Sequence, residues 1–302
     1  MVCGFDYVRD YRLVRQNFGS TVGRYIGRIL DARFTLDGTE YRLQGAGRGH
    51  ISHGGSPGFA DRVWEAVACS EGSLTLAYDS PDGENGFPGH LHIEVTFTLD
   101  DRNTLAIEYA AATDRPTVLN PSNHSFFNIG GDLSATVLGH CLRVPGDSIA
   151  ECDDRKCVTG RFVPVAGTEF DFREFHPVGE RIDTHETVGG TACYDHTWQV
   201  PGWNGQELCL AAEIVDPASG RTLSVWTTEP GVHIYTAGGH DGSICGKGGV
   251  AYPRRNAVCF ETMHFSDSPN RPQFPSTALR PGDRFRSRTE YRFGCLKDLR
   301  MP

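Results

Sequence analysis

A chain of 302 residues with a formal net charge of -9 lacks the basic footprint that nucleic acid and anionic membrane surfaces require, so a small neutral molecule is the expected partner. No stretch approaches the roughly 18 consecutive apolar residues of a membrane span. Residues 1–16 carry Asp6, Arg9, Asp10, Arg12 and Arg15 where a secretory signal would be apolar, which makes a cytoplasmic address the expectation. The ten cysteines should then be free thiols, Cys152 and Cys157 being the one spacing that could close a small bridged loop.

In chain order, the first element predicted is a hairpin. Phe34-Thr35-Leu36 and Tyr41-Arg42-Leu43 flank Asp37-Gly38, whose glycine supplies positive φ. Strand candidates follow at Ser73–Tyr78, Leu91–Leu99 and Thr104–Ala111. In the second, Leu91, Ile93, Val95, Phe97 and Leu99 alternate with polar residues, the period of a half-buried strand. The stretch from Asp147 to Thr187 is expected to be irregular, because strand patterns lapse there. Leu208–Val215 and Thr222–Thr228 form a second hairpin across Pro217-Ala218-Ser219-Gly220. Val232–Thr236, Ala257–Phe265 and Phe285–Phe293 complete the set. No run of ten residues has a convincing 3.6 period, and 36 glycines and 17 prolines spread along the chain suit many tight strand connections. The pattern predicts an all-β, antiparallel protein with little helix, and residues 1–302 read as one domain.

The stretch Asn120-Pro-Ser-Asn-His-Ser-Phe-Phe-Asn-Ile-Gly-Gly131 is the first chemical candidate. It surrounds His124 with Asn120, Ser122, Asn123, Ser125 and Asn128, a density of donors and acceptors that suits a polar ligand. Four further segments stand out: Gly23 to Arg28, Ser52-His53-Gly54-Gly55, Tyr194-Asp195-His196-Thr197-Trp198, and Phe260-Glu261-Thr262-Met263-His264-Phe265. Alternation places Glu261 on one strand face with Cys259 and Met263, opposite Phe260 and Thr262. Together these supply a carboxylate and an imidazole for proton transfer, a fixed cation and hydroxyl-binding groups, which is an inventory for sugar chemistry. A metal set from His90-x-His92 or His50-x-x-His53 lacks a recognised third ligand, and a glycosidase would have only Asp195 and Glu261 as its carboxylate pair.

These segments carry a resemblance to the aldose 1-epimerase family, the galactose mutarotases. It spans about Gly4 to Phe293 and is most specific in Asn-x-x-Asn-His-x-x-Phe-Asn at 120–128, His53-Gly54-Gly55, Tyr194-Asp195-His196, and Glu261-Thr262 followed by Phe265-x-Asp267-x-Pro269-Asn270-x-Pro272. The resemblance implies a large antiparallel β-sandwich of the galactose mutarotase type, Glu261 as general base, His124 as general acid, and Arg28, His53, Asp195 and His233 as sugar ligands. It implies a small-molecule aldose as the partner, no metal or organic cofactor, and a monomer or weak homodimer. Ordinary pKa values give a carboxylate and a partly protonated imidazole near neutral pH. Phe126, Phe127 or Trp198 could pack against the sugar's apolar face.

The chain departs from the family pattern at Gly27 and His50, where asparagine is usual, and at His233 and Met263, where glutamine is usual. Altered polar groups bear on which sugar is preferred. Family members also usually have further strands before the point where this chain begins. Two other readings stay open at the level of sequence. One is a carbohydrate-binding protein without turnover. The other is an epimerase of a hexose 6-phosphate, for which Arg48, Arg254 and Arg255 are the candidate phosphate ligands.

Overall fold

The alternating segment Leu91–Leu99 becomes a strand with those bounds, and its apolar residues Leu91, Ile93 and Val95 are buried. It lies inside a nine-stranded antiparallel sheet in a computed structural model that describes residues 1–44, 49–153, 157–184, 187–188 and 191–298. The order across this sheet is His176–Pro177, Cys141–Arg143, Cys209–Val215, Arg221–Thr227, Phe285–Cys295, Thr104–Thr113, Leu91–Leu99, Ser73–Ser80 and Glu65–Ser70. A second antiparallel sheet has six strands in the order Phe126–Phe127, Val258–Met263, Gly231–Tyr235, Asp195–Gln199, Ser148–Cys152 and Val158–Pro164.

One hydrophobic core joins the two sheets. Ile93, Ile107, Val225 and Tyr291 from the first meet Ile149, Trp198, Val232 and Phe260 from the second. Each such side chain stabilises the fold by roughly 1.5–3 kcal/mol through its burial. Tyr291 also donates its hydroxyl hydrogen to the Phe260 carbonyl at 2.9 Å, which satisfies a polar group that burial would otherwise penalise.

The hairpin expected at Asp37-Gly38 forms between Arg33–Leu36 and Thr39–Arg42. Both turn residues have positive φ, 51° and 79°, as a two-residue turn of matching twist requires. Helix is confined to Val8–Leu13 and a few single 3₁₀ turns among the described residues, and none of these is long and apolar enough to cross a membrane.

One expectation is overturned. The stretch 147–187 contains Ser148–Cys152 and Val158–Pro164, the last two strands of the six-stranded sheet. Their pattern is blurred because a bulge between Ala150 and Cys152 breaks the alternation and because Val158–Pro164 is an edge strand, half in solvent. All ten cysteines are free, Cys152 and Cys157 included.

The register of the six-stranded sheet sets up the site. Glu261 lies opposite His233, His233 opposite Thr197, and Asp195 opposite Tyr235. Partners across a ladder point to the same side. Cys259, Glu261, Met263, His233, Tyr235 and Asp195 therefore share the face turned away from the nine-stranded sheet, while Phe260 enters the core.

Candidate active site

That outer face is roofed by three chain segments, and a cavity of about 240 Å³ remains between roof and sheet. Gly27, Arg28, Ser52, His53 and His124 line it from the roof, and Asp195, His233, Tyr235, Glu261 and Met263 from the sheet. All six side chains expected to form the site are thus brought to one cavity: Glu261, His124, Arg28, His53, Asp195 and His233.

Several conspicuous polar residues turn out to hold the roof rather than face the cavity. Asn120 donates its side-chain NH to the His264 carbonyl and accepts the His264 amide, both at 3.0 Å. Ser122 donates to the Thr262 carbonyl at 2.9 Å, Asn123 to the Gly19 carbonyl at 3.0 Å, and Asn128 to the carbonyls of Asp132, Ala135 and Asn256. Of the segment 120–131, His124 alone lines the cavity. The hydrogen-bonding side chains satisfy backbone groups that a loop crossing a sheet face leaves without ladder partners.

The same logic places Arg28. The Asp267 amide donates to the Arg28 carbonyl at 2.7 Å, and the Asp267 carboxylate accepts the Leu30 amide at 3.0 Å. Tyr25 donates its hydroxyl hydrogen to the Phe265 carbonyl at 3.0 Å. The Phe265-x-Asp267 segment therefore anchors the strand Arg28–Leu30, which pairs in turn with His50–Ser52. At the end of that pair His53 adopts φ 53°, and its amide donates to the Gly27 carbonyl at 2.9 Å. Gly54 follows at φ 79°, packed so closely on the Gly23 carbonyl that a Cβ would overlap it.

Glu261 and His124 stand side by side, Oε1 and Nε2 being 3.4 Å apart. Both are buried, and each pulls toward its uncharged form. Burial, with the Asp195 carboxylate adding to it, pushes the Glu261 carboxyl up to about 7, although His233 and Arg28 oppose the rise. Burial, reinforced by His53, drives the His124 imidazole down to about 3. The ordinary carboxylate and partly charged imidazole expected from sequence are thus replaced by an uncharged imidazole beside a carboxyl that gives up its proton only near pH 7. His53 is likewise lowered, to about 4, by burial and then by Arg28 and His233. Its ring lies 5.6 Å from that of His124, edge to face, and its Nδ1 has no hydrogen-bond partner among the described residues.

The opposite wall is charged. His233 Nε2 is 2.9 Å from Asp195 Oδ1, and Arg28 lies 3.8 Å from Oδ2. Burial works against the Asp195 carboxylate, yet the hydrogen bond from His233 and the charges of His233 and Arg28 hold it well below the usual range. For His233 burial is again the largest influence and lowers it. The hydrogen bond to Asp195 and the field of Glu261 more than offset that, so it ends above its ordinary value.

The aromatic residues named from sequence do not line the cavity. Phe127 and Trp198 belong to the core, and Phe126 stacks behind His124 at 4.9 Å. Tyr235 is the aromatic wall, two residues beyond His233 on the same strand face, a position that alternation alone could have flagged. Ser266 was also missed, and no local pattern marks it. Cys259 brings its Sγ to 3.6 Å from His124 Nδ1. His124, Cys259 and Glu261 offer one donor atom each within 4.8 Å, so a soft divalent cation could be held there, occupying both members of the pair. Arg255 is engaged by the Ala192 carbonyl and Asp183, and neither it nor Arg254 lines the cavity; Arg48 lies outside the described residues.

The sequence profile of aldose 1-epimerase matches residues 1–292. The chain belongs to the aldose 1-epimerase family. Among its relatives, the galactose mutarotase of Rattus norvegicus is 36% identical over 293 residues, covering 97% of this chain and 83% of the relative. The aldose 1-epimerase of Escherichia coli (strain K12) is 32% identical over 277 residues, 91% of this chain and 79% of the relative. The fold agrees too: the crystal structure of an aldose epimerase homologue from C. elegans superposes with a TM-score of 0.89 at 32% identity, covering 98% of this chain and 88% of that one. The large antiparallel β-sandwich is the family's architecture.

Proposed function

We propose that this chain is an aldose 1-epimerase, an isomerase that interconverts the α and β anomers of a free hexose such as galactose or glucose. The observation that carries the reading is the 3.4 Å approach of Glu261 Oε1 and His124 Nε2 at one wall of a cavity sized for a single sugar ring. Its volume of about 240 Å³ falls just under the roughly 300 Å³ at which pockets for drug-sized ligands begin. The anomeric and ring oxygens of a pyranose are both bonded to C1, so two groups as close as these can reach both at once.

In the forward step Glu261 takes the proton of the anomeric hydroxyl while His124 Nε2 gives one to the ring oxygen. The C1–O5 bond breaks and C1 becomes an aldehyde. Rotation about C1–C2 presents the other face of the carbonyl. For closure His124 recovers the proton from the C5 hydroxyl as that oxygen attacks C1, and Glu261 returns its proton to the former carbonyl oxygen. Carboxylate plus imidazolium and carboxyl plus imidazole contain the same number of protons, so opening and closing interconvert two arrangements of one protonation state. A sugar hydroxyl donating to Glu261 and a ring oxygen accepting from His124 favour the charged arrangement when substrate is bound.

Arg28, His53, Asp195 and His233 supply fixed donors and acceptors for the remaining hydroxyls, and Tyr235 supplies an apolar surface. The test is polarimetry on freshly dissolved α-D-galactose and α-D-glucose. Micromolar protein is expected to accelerate the drift toward the anomeric equilibrium; optical rotation that relaxes at the buffer rate with both sugars would overturn the assignment.

A further inference from the structure

A second cavity, of about 320 Å³, has no lining residue in common with the first. Glu229 and His264 both face it, joined by a contact of 2.7 Å between Glu229 Oε2 and His264 Nδ1. Glu229 is only 3% exposed, and a carboxylate withdrawn from water to that degree is costly unless its oxygens are engaged. Beyond the His264 contact, no described residue hydrogen-bonds Glu229 Oε1 or His264 Nε2. The pair is a built feature rather than a loose surface contact. The side chain of Asn120 fixes the backbone of His264 on both sides, and the Glu229 amide donates to Thr227 Oγ1 at 3.1 Å.

Beside the pair stands Trp203. Its indole donates to the Thr228 carbonyl at 2.8 Å, which pins the ring, and its centroid lies 6.1 Å from that of His264, edge to face. Thr228, Ser276, Thr277, Asp283, Arg284 and Arg286 complete the polar lining. A cation entering this cavity would meet the guanidinium groups of Arg284 and Arg286, whereas an anion would meet Glu229 and Asp283. A neutral ring bearing several hydroxyls fits the set. Its hydroxyls can donate to the carboxylate and accept from imidazole and guanidinium, and its C–H face can rest on the indole.

We propose that this cavity is an accessory carbohydrate site that binds one monosaccharide unit, separately from the catalytic cavity. The proposal does not depend on the acid/base reading of Glu261 and His124. The probes are methyl α-D-galactopyranoside and methyl α-D-glucopyranoside, whose blocked anomeric oxygens cannot undergo ring opening. The readout is the Trp203 indole resonance in ¹⁵N-labelled protein, identified by its loss in Trp203→Phe.

With at least one glycoside the resonance is expected to move along a saturating curve, and to do so equally in Glu261→Gln, where polarimetry reports catalysis independently. Glu229→Gln, and separately His264→Gln, should weaken that apparent affinity at least about tenfold, since each replaces a polar group of the buried pair that faces the cavity. An indole signal that stays still with both glycosides in the native chain refutes the site, as does a shift of unchanged midpoint in a folded Glu229→Gln or His264→Gln variant.

Discussion

At the scale of single residues, the pair Glu261 and His124 carries most of the consequences. Glu261→Gln keeps the shape of the side chain and removes its capacity to accept a proton; His124→Ala removes the acid. Each is expected to cost at least about two decades in turnover, the usual contribution of a positioned acid or base, read by polarimetry with circular dichroism to check the fold. Wild-type turnover by either variant would remove it from the mechanism. The pH dependence follows from the same pair. It holds one proton until the Glu261 carboxyl, raised to about 7 by burial, loses it, so kcat/KM should fall as pH rises through about 7. On the acid side the imidazole, lowered to about 3, stays uncharged until far below neutrality, and the rate should hold across mildly acidic pH. These values belong to the pair as a unit. A rate that instead rose with pH from 6 to 8 would mean that the Glu261 carboxyl does not hold its proton up to neutrality.

At the scale of elements, the site depends on turns that place roof segments over a sheet face. Gly38 and Gly54 have the same φ, 79°, but differ in surroundings: space is open around Gly38, whereas Gly54 lies against the Gly23 carbonyl. Gly38→Ala should therefore cost about 1–2 kcal/mol, the penalty of left-handed backbone for a residue with a Cβ, and leave turnover unchanged. Gly54→Ala adds a steric overlap beside His53, so it should lose more stability in urea melts and lose turnover as well. Equal effects from the two substitutions would show that the approach to Gly23 is slack. Asn120 illustrates why polar density misleads: its side chain is fully committed to the backbone of His264. A loop residue of this kind and a ligand-binding residue look alike in sequence, since both are polar, local and followed by apolar anchors.

At the scale of the whole molecule, the site is a cost to the fold. The folded chain holds the Glu261 carboxyl above its ordinary value, so ionising it works against folding. Stability from this group is fully present below about pH 4.5, its ordinary value, and is lost as pH rises through about 7. Glu261→Gln removes that titration. Its melting temperature should gain on the wild type more at pH 8 than at pH 4.5, and calorimetry showing the same difference at both would place the carboxyl in a more hydrated setting than its burial implies. The stability is supplied by the core between the two sheets, where Phe260, on the opposite strand face from Glu261, meets Tyr291.

The sequence by itself determined most of the long strands, because a sheet with one buried face demands alternation and Leu91–Leu99 cannot hide it. It also determined which face of Val258–Met263 would carry Glu261, and the resemblance named six of the side chains that line the cavity. The blurred strands of 147–187 escaped it, since a bulge and an edge position erase period two. Only the tertiary structure decided that Glu261 and His124, distant in the chain, stand side by side, that Tyr235 and not Phe126, Phe127 or Trp198 lines the cavity, and that burial holds both members of the pair toward their uncharged forms. Register, roofing segments and depth of burial arise from contacts between remote segments, and no local pattern encodes how far water is excluded from a carboxyl group.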